Sequence, residues 1–234
     1  KKNFKNMGST RFGRDWSYHD YRNFSVNSML PALEYFTQNN FYVLRMGQDV
    51  EEKINIKNPK IIDYANSEFR NDFMDIFLLA NCKAYFGSDS GISVVPFCFK
   101  KPTYNINYSS TEIHIHEKMY KSLFTFKRIK NLVTNKLLPI SEILKLSVEA
   151  RVTPEFYLKN KNLQCVDNST QEIESFAFEI VKDLNNEKYE TSEDKELQED
   201  FWKIYFKYVK QDEENKIKSK ISPSFLKKNM DLLA

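Results

Sequence analysis

The sequence Gly-Ser-Asp-Ser-Gly at residues 87–91 has the composition of an anion-binding turn. Small residues between a strand and a helix let a ligand approach the backbone, and the exposed N–H groups at the helix start can bind a diphosphate. The hydroxyls of Ser88 and Ser90 would add donors. Asp89 would cap the helix or accept a hydrogen bond, and Gly91 completes the turn. A plain strand-to-helix turn has the same composition, because Ser and Asp are good N-caps, so the spacing leaves both interpretations open.

Arg45 is a second residue that could bind a phosphate. It follows the apolar run at residues 41–44, which is predicted to be a buried strand that delivers its next residues to a loop. A guanidinium held there can place its forked N–H groups on an oxyanion and offset the charge of a leaving group. The alternative is a surface ion pair with Asp49 or Glu51.

The first 23 residues show neither helical nor strand periodicity and are predicted to form a loop, a setting in which binding residues are common. His19 is interpreted as an ordinary loop residue rather than a base. His114 and His116 lack the further ligands that a metal site needs. The N-terminal loop contains a cluster of other polar residues: Arg14, Asp15, Arg22 and Asn23.

The sharper motifs of several enzyme classes are absent from the sequence. It contains no G-x-x-x-x-G-K-[ST], G-x-G-x-x-G, G-x-S-x-G or H-E-x-x-H, which disfavours nucleotide hydrolases, dehydrogenases, esterases and zinc proteases. No paired-Asp motif for a divalent ion occurs, so no metal is expected. Cys82, Cys98 and Cys165 are far apart and are predicted to be buried free thiols rather than a disulfide framework or a zinc site.

The bulk composition is that of a globular protein. Of the 234 residues, 41% are hydrophobic and 29% are charged, and a chain of this length can bury a sizeable core. The 35 basic and 32 acidic residues leave a net charge of +3, which is too small for a dedicated nucleic-acid binder. No run of about 18 apolar residues and no signal peptide is found, so a cytoplasmic location is expected.

Alternating strand-like and helical segments position these candidate residues. The spacing of apolar residues predicts βαβ units and hence a doubly wound α/β fold with a parallel sheet. In such open sheets, ligands bind at the carboxyl ends of the strands, where Arg45, Asp63 and residues 70–72 and 87–91 are expected. The segments are a helix from Ser25 to about residue 38, strands at 41–44, 61–62, 84–86 and 102–106, and a helix at about 71–80.

From about residue 110 the pattern is mainly helical, with one irregular stretch near residues 124–133. Residues 169–172 read Ser-Thr-Gln-Glu, a capping box that predicts the start of an amphipathic helix. A second helix is predicted after residues 191–194, then a charged linker at about 211–220 and a short docking helix at 223–233. We therefore expect an N-terminal linker from an upstream domain (1–24), a Rossmann-like domain (25–185) and a helical C-terminal extension (186–234).

Several of these segments together resemble a family of bacterial glycosyltransferases found in surface-polysaccharide gene neighbourhoods. The resemblance lies in the order and spacing of residues 18–23, 42–47, 62–65, 70–78, 87–91 and 101–102. Members of that family look like two-Rossmann-domain (GT-B) glycosyltransferases, and more distantly like fucosyltransferases and heptosyltransferases. In these enzymes the C-terminal domain holds the nucleotide sugar, and this chain would correspond to that half.

The resemblance also implies roles for the candidate residues. Arg45 would stabilise the donor diphosphate, and Ser88, Asp89, Ser90 and Gly91 would cradle it. Asp63, Tyr64 and Asp72 would lie near the base or ribose of the nucleotide. Arg22 and Asn23 would face the cleft, toward the acceptor or the phosphate. The acceptor domain is expected upstream, so the catalytic base is unassigned.

The expected reaction is sugar transfer from a nucleoside-diphosphate sugar to a glycan or lipid-linked glycan acceptor, without cofactor or metal, in the cytoplasm or at the cytoplasmic face of the inner membrane. A non-catalytic nucleotide- or carbohydrate-binding module is the main alternative and would keep the 88–91 turn. A nucleotide-sugar epimerase would need a glycine-rich first turn that the sequence lacks. A structural assembly protein is supported only by the charged, helical last third of the chain.

Overall fold

A computed structural model of the chain describes residues 23–48, 50, 52–88, 90–108, 122–150, 162–208 and 219–233. Within these ranges the fold is mixed α/β, with seven α-helices and nine strands. The helices are α1 (Leu30–Gln38), α2 (Asp72–Asn81), α3 (Val94–Cys98), α4 (Ile140–Ala150), α5 (Thr170–Leu184), α6 (Ser192–Tyr208) and α7 (Pro223–Lys228). The strands are β1 (Val43–Leu44), β2 (Ile61–Ile62), β3 (Tyr85–Gly87), β4 (Thr103–Tyr108), β5 (Leu123–Phe126), β6 (Arg128–Asn131), β7 (Lys136–Leu137), β8 (Leu163–Val166) and β9 (Lys220–Ile221).

A parallel sheet organises the molecule. Strands β3, β4, β5 and β9 are neighbours in that order, and each neighbouring pair is parallel. Strands β1 and β2 form a separate parallel pair. The carboxyl ends of the four strands therefore meet at one edge, the carboxyl edge, where Ser88, Lys127 and Ser222 follow β3, β5 and β9. The predicted α/β class with a parallel sheet is confirmed, and it is compatible with a Rossmann-like fold.

Helices cover both faces of this sheet, as strand β5 shows. Leu123 packs in a buried cluster with Phe176 of α5. The next residue, Phe124, packs in a second cluster with Phe201 of α6 and Phe225 of α7. Successive residues of a strand point to opposite faces, so the two clusters lie on opposite sides of the sheet.

Local signals in the sequence explain where two of the helices begin. The Ser25 hydroxyl accepts from the N–H of Asn27 and caps a 3-10 turn (Val26–Met29) that continues directly into α1. At the start of α5, Ser169 Oγ accepts from the N–H of Glu172, whose carboxylate accepts from the N–H of Ser169. Both predicted caps are confirmed, and the apolar stripe that follows each of them faces the core.

The region after residue 122 differs from the mainly helical prediction. The stretch predicted to be irregular, near residues 124–133, contains most of β5 and all of β6, and β6 pairs antiparallel with β7 and β8. The prediction was wrong because Leu123 and Phe124 are buried on opposite faces of the sheet, so β5 lacks the alternation that marks a strand with one wet face. In the β6–β7 connection, Asn131 accepts from the N–H groups of Val133 and Thr134.

The predicted C-terminal extension contributes a strand to the parallel sheet. Strand β9 pairs with β5, and α7 follows it directly. Lys220 had been placed in the charged linker, and a strand of two residues is too short to show periodicity. The predicted docking helix is observed as α7 followed by a 3-10 turn (Met230–Leu233), with Phe225 and Leu226 buried. The division of the chain at residues 24 and 185 stays a prediction.

The cysteines are free thiols, as predicted, but they are not all buried. Cys82 and Cys165 are partly buried, whereas Cys98 is exposed at the last position of α3. The prediction of burial was wrong for Cys98, because α3 has only five residues and the side chain of its last residue is left exposed to solvent. None of the described helices combines the length and the apolar composition that a membrane crossing requires.

Candidate functional site

The turn after β3 is held in place by Tyr85. The hydroxyl of Tyr85 donates to the carbonyl of Ser88 at 3.2 Å and lies 3.4 Å from the hydroxyl of Ser90. The Tyr85 ring folds back against Gly87, where an added Cβ would come within 2.5 Å of the Tyr85 oxygen. A side chain at position 87 would displace the Tyr85 ring, so glycine at this position allows Tyr85 to hold the turn. Tyr85 was not among the residues predicted to contribute to the site.

The turn is open to solvent at Gly91. An added Cβ at Gly91 would meet no atom within 4 Å, and the residue is exposed. A 3-10 turn (Gly91–Ser93) begins here, and Ser93 donates twice to the Ser90 carbonyl. The Ser90 side chain makes no capping hydrogen bond, so the capping role that a plain turn would give Ser90 is not observed. Asp89 lies outside the described residues.

Arg45 forms an ion pair with Asp63, and Nη1 of the arginine lies 3.0 Å from the carboxylate. The Asp63 carboxylate also accepts from the Asn66 side chain at 2.7 Å and from the N–H of Ile54 at 3.1 Å. Burial would raise the pKa of Asp63, but these two hydrogen bonds and the guanidinium hold it below the ordinary value. Arg45, predicted to bind the diphosphate, and Asp63, predicted to lie near the base or ribose, thus contact each other. The Asp63 carboxylate orients the guanidinium of Arg45. Asp49 and Glu51, the alternative partners, lie outside the described residues.

Tyr64 and Asp72 do not join the Arg45–Asp63 pair. Tyr64 is buried, and its hydroxyl interacts with the backbone of Asn71. The Asp72 side chain is 92% exposed at the start of α2. The three residues predicted to lie near the base or ribose therefore have different settings: Tyr64 is buried, Asp63 is in an ion pair, and Asp72 is exposed at the start of a helix.

A polar network at the carboxyl ends of β4 and β5 was not anticipated. The side-chain oxygen Oδ1 of Asn107 accepts from the backbone N–H of Asn168 at 2.6 Å. Thr125 donates to the Asn168 side chain and accepts from the N–H of Asn107 at 3.2 Å. Asn168 also donates to the carbonyl of Phe126 at 3.1 Å. These bonds join two neighbouring strands to the residue that precedes the N-cap of α5.

Lys127 extends this network toward the N-terminal segment. Its side chain is 3% exposed, and its ammonium lies 2.7 Å from Asp167 and 3.0 Å from the carbonyl of Asn23. The backbone of Asn23, one of the two predicted cleft residues, thus lies at the carboxyl end of β5. Arg22 and the other polar residues of the predicted N-terminal loop lie outside the described residues.

Weak signals for this network were present in the sequence. Asn105 and Asn107 are amides inside an aromatic and aliphatic strand, and Lys127 directly follows Leu-Phe-Thr-Phe. Buried polar residues are uncommon unless they are bonded. The network was missed because β5 had not been recognised as a strand, so nothing placed its carboxyl end beside that of β4.

The carboxyl edge carries backbone N–H groups, hydroxyls and cations, which are groups that suit a ligand rich in oxygen atoms. Among the residues that the structure describes, no group of three or more His, Cys, Asp and Glu side chains could hold a metal ion. Comparison with protein-family models, with curated proteins and with solved structures found no match.

Proposed function

We propose that this chain binds a nucleoside-diphosphate sugar at the carboxyl edge and is the donor-binding half of a GT-B glycosyltransferase. The observation that supports this most strongly is the turn at residues 88–91. The Tyr85 hydroxyl donates a hydrogen bond to the Ser88 carbonyl and holds the turn, and a Cβ added at Gly91 would have no atom within 4 Å. Such a turn lets a diphosphate approach backbone N–H groups that need no rearrangement.

Transfer from a nucleoside-diphosphate sugar requires stabilisation of the charge that develops on the leaving diphosphate. In the proposed mechanism, the turn holds the diphosphate and Arg45 supplies a cation whose direction is set by Asp63. This charge stabilisation needs no divalent ion. The acceptor is a surface glycan or a lipid-linked glycan at the cytoplasmic face of the inner membrane. The base that activates its hydroxyl is not assigned to a residue of this chain.

Substitution at Gly91 tests this proposal. Gly91→Leu fills the open side of the turn without meeting another protein atom at its Cβ, so the variant should fold normally. We expect isothermal titration calorimetry with UDP, GDP, ADP, CMP and dTDP to show binding of one nucleotide, weakened about tenfold or more by Gly91→Leu. Glu34→Leu adds the same side chain at an exposed position of α1 and should leave binding unchanged.

Three outcomes would contradict parts of the proposal. Absence of nucleotide binding by the chain would contradict the donor site, and equal binding by Gly91→Leu and the unmodified chain would contradict its place at the turn. Nucleotide binding without sugar transfer, measured with the full-length protein and a lipid-linked acceptor, would favour the non-catalytic module.

A further inference from the structure

Helix α2 exposes an apolar face to solvent. Phe73, Ile76 and Phe77 lie at positions i, i+3 and i+4, which places them on one side of the helix. Phe73 is 73% exposed, and Ile76 and Phe77 are half-exposed. The rings of Phe73 and Phe77 stack with their centroids 5.9 Å apart. Phe69, which precedes the helix, is 71% exposed, and these four side chains together form the α2 face.

The composition of α2 is that of a helix covered on more than one side. Seven of its ten residues are apolar, but only Leu79 is buried within the chain. A helix that is apolar all round is normally buried, and soluble monomers rarely expose large contiguous apolar patches. The neighbouring helix α3 packs beside α2 and also exposes Val94, with the exposed Phe99 directly after it. The α2 face therefore has the character of an interaction surface.

The two ends of α2 carry opposite charge. At its start, Glu68 is exposed and the Asp72 side chain is almost fully exposed. Arg70 lies between them, 3.8 Å from Asp72, but its closer partner is the Asp75 carboxylate at 2.8 Å. Three carboxylates and one guanidinium leave a net negative charge at this end. Lys83, which follows the last turn of the helix, is exposed and makes the other end positive.

An antiparallel pair of α2 helices, one from each of two copies of the chain, matches both the apolar side chains and the charges. A twofold axis beside Asp75 places Phe73 of one copy opposite Phe77 of the other, because both are two positions from 75. The same axis brings Lys83 of one copy next to Glu68 of the other, because position 83 lies opposite position 67. Each contact in a twofold interface occurs twice, so two pairs of opposite charge flank an aromatic centre.

An anionic lipid surface fits the α2 face less well than a second copy does. Aromatic faces of helices bind to such surfaces when cations flank them and meet the lipid headgroups. Here Glu68 and Asp72 flank the aromatic side chains at one end, and anionic headgroups would repel them. A second copy in the antiparallel arrangement instead presents a cation to the acidic end. The charges of the α2 face therefore favour a second copy.

We propose that the α2 face is a self-association surface, through which two copies of the chain form a twofold dimer with antiparallel α2 helices. The dimer does not depend on the proposed donor site, which lies at the carboxyl edge. One helix face from each copy makes a small interface, of the size found in transient complexes. The dimer is therefore expected to dissociate reversibly, with a Kd in the micromolar range.

Sedimentation equilibrium of the chain at concentrations up to about 200 μM tests the dimer. We expect the average mass to rise with concentration from 27.8 kDa toward twice that value. Phe73→Asp should weaken association about tenfold or more, because it buries a carboxylate at the aromatic centre of the interface. The side chain is exposed in the single chain, so the variant should fold normally. Phe178→Asp, the same change at an exposed position of α5, should leave association unchanged.

Charge reversal tests the antiparallel arrangement. Lys83→Glu and Glu68→Lys each place like charges together at both ends of the interface, so each variant alone should associate about threefold or more weakly than the unmodified chain. An equimolar mixture of the two variants restores opposite charges at both ends of the mixed dimer. This mixture should associate as tightly as the unmodified chain. A mixture that associates no more tightly than either variant alone would overturn the antiparallel arrangement.

Other results would overturn the dimer itself. A chain that stays monomeric at about 200 μM, or a dimer that Phe73→Asp leaves intact, would contradict self-association through the α2 face. If a monomeric chain sediments with vesicles of phosphatidylcholine and phosphatidylglycerol, and Phe73→Asp abolishes this binding, the α2 face binds lipid instead. Gly91→Leu should leave the dimer unchanged, so failure of the donor site and failure of the dimer give different results.

Discussion

Arg45 shows how one contact changes the interpretation of a residue. From the sequence it was a cation at the end of a strand, with a surface ion pair as the alternative. The structure pairs it with Asp63, a residue that the resemblance had placed near the base or ribose. The Asp63 carboxylate also accepts hydrogen bonds from the N–H of Ile54 and the side chain of Asn66. Because these bonds hold the carboxylate in place, Asp63 holds the Arg45 guanidinium in one direction.

The protonation of Glu179 should control part of the pH dependence of stability. This carboxyl group on α5 is buried, accepts from the N–H of Ser224 at 2.7 Å and faces Ser222 and Asp194. Burial, with a smaller contribution from Asp194, raises its pKa to about 6, above the ordinary value of 4.5. The folded state therefore binds this proton more tightly. The resulting stabilisation is complete below pH 4.5 and is lost as the pH rises through about 6.

Glu179→Gln should remove this pH dependence. The free energy of unfolding of the variant relative to the unmodified chain should rise by roughly 2 kcal/mol between pH 4.5 and 7.5. Urea unfolding of both proteins across this range measures the difference, and other titrating groups cancel in it. Parallel stability curves would show that Glu179 does not titrate in this window.

At the scale of elements, the start of α5 is stabilised in two ways that one substitution can separate. Glu172 completes the capping box and also pairs with Arg128 on β6. Burial would raise the pKa of Glu172, but the hydrogen bond from the Ser169 N–H and the Arg128 and Lys228 charges lower it. The same carboxylate thus joins a helix start to the antiparallel sheet.

Glu172→Gln keeps a side chain that can serve in a capping box and removes the charge opposite Arg128. Because Arg128 is largely buried, we expect the free energy of unfolding to fall by about 3 kcal/mol. Ser169→Ala removes only the cap and should cost about 1 kcal/mol. Chemical denaturation of both variants checks the order, and an equal loss in the two would mean that the ion pair contributes nothing beyond the cap.

At the scale of the whole molecule, the end of the chain completes the parallel sheet and one of its covering layers. Strand β9 pairs with β5, and Phe225 of α7 packs against Phe126 with ring centroids 4.7 Å apart. Phe225 is buried, whereas Phe206 of α6 is half-exposed. The predicted extension is therefore part of the same hydrophobic core as β5.

Phe225→Ala should lower the free energy of unfolding by about 3–5 kcal/mol, because it leaves a cavity between the sheet and α7. Phe206→Ala removes the same side chain from an exposed position and should cost less than about 1 kcal/mol. Circular dichroism during urea unfolding measures both changes. A small effect of Phe225→Ala, similar to that of Phe206→Ala, would show that the last helix is dispensable for the core.

The α/β class, the parallel arrangement and the starts of α1 and α5 could be predicted from the amino-acid sequence alone. These features depend on local signals, namely capping residues and the spacing of apolar side chains over one or two turns. The sequence also placed the 88–91 turn at the end of a strand. Periodicity is local, so it could not identify β5 or β9, which are buried or only two residues long.

Long-range contacts in the folded chain determine which polar groups meet. The contact of Lys127 with Asn23 joins residues 104 positions apart, and that of Asn107 with Asn168 joins residues 61 apart. Such contacts depend on strand order and on the register shift between β4 and β5, neither of which leaves a pattern in nearby residues. The pairing of Arg45 with Asp63, after β1 and β2, and the unpartnered Asn107 amide nitrogen became visible only when the strands were in place, because parallel pairing brings distant segments together where the strands end.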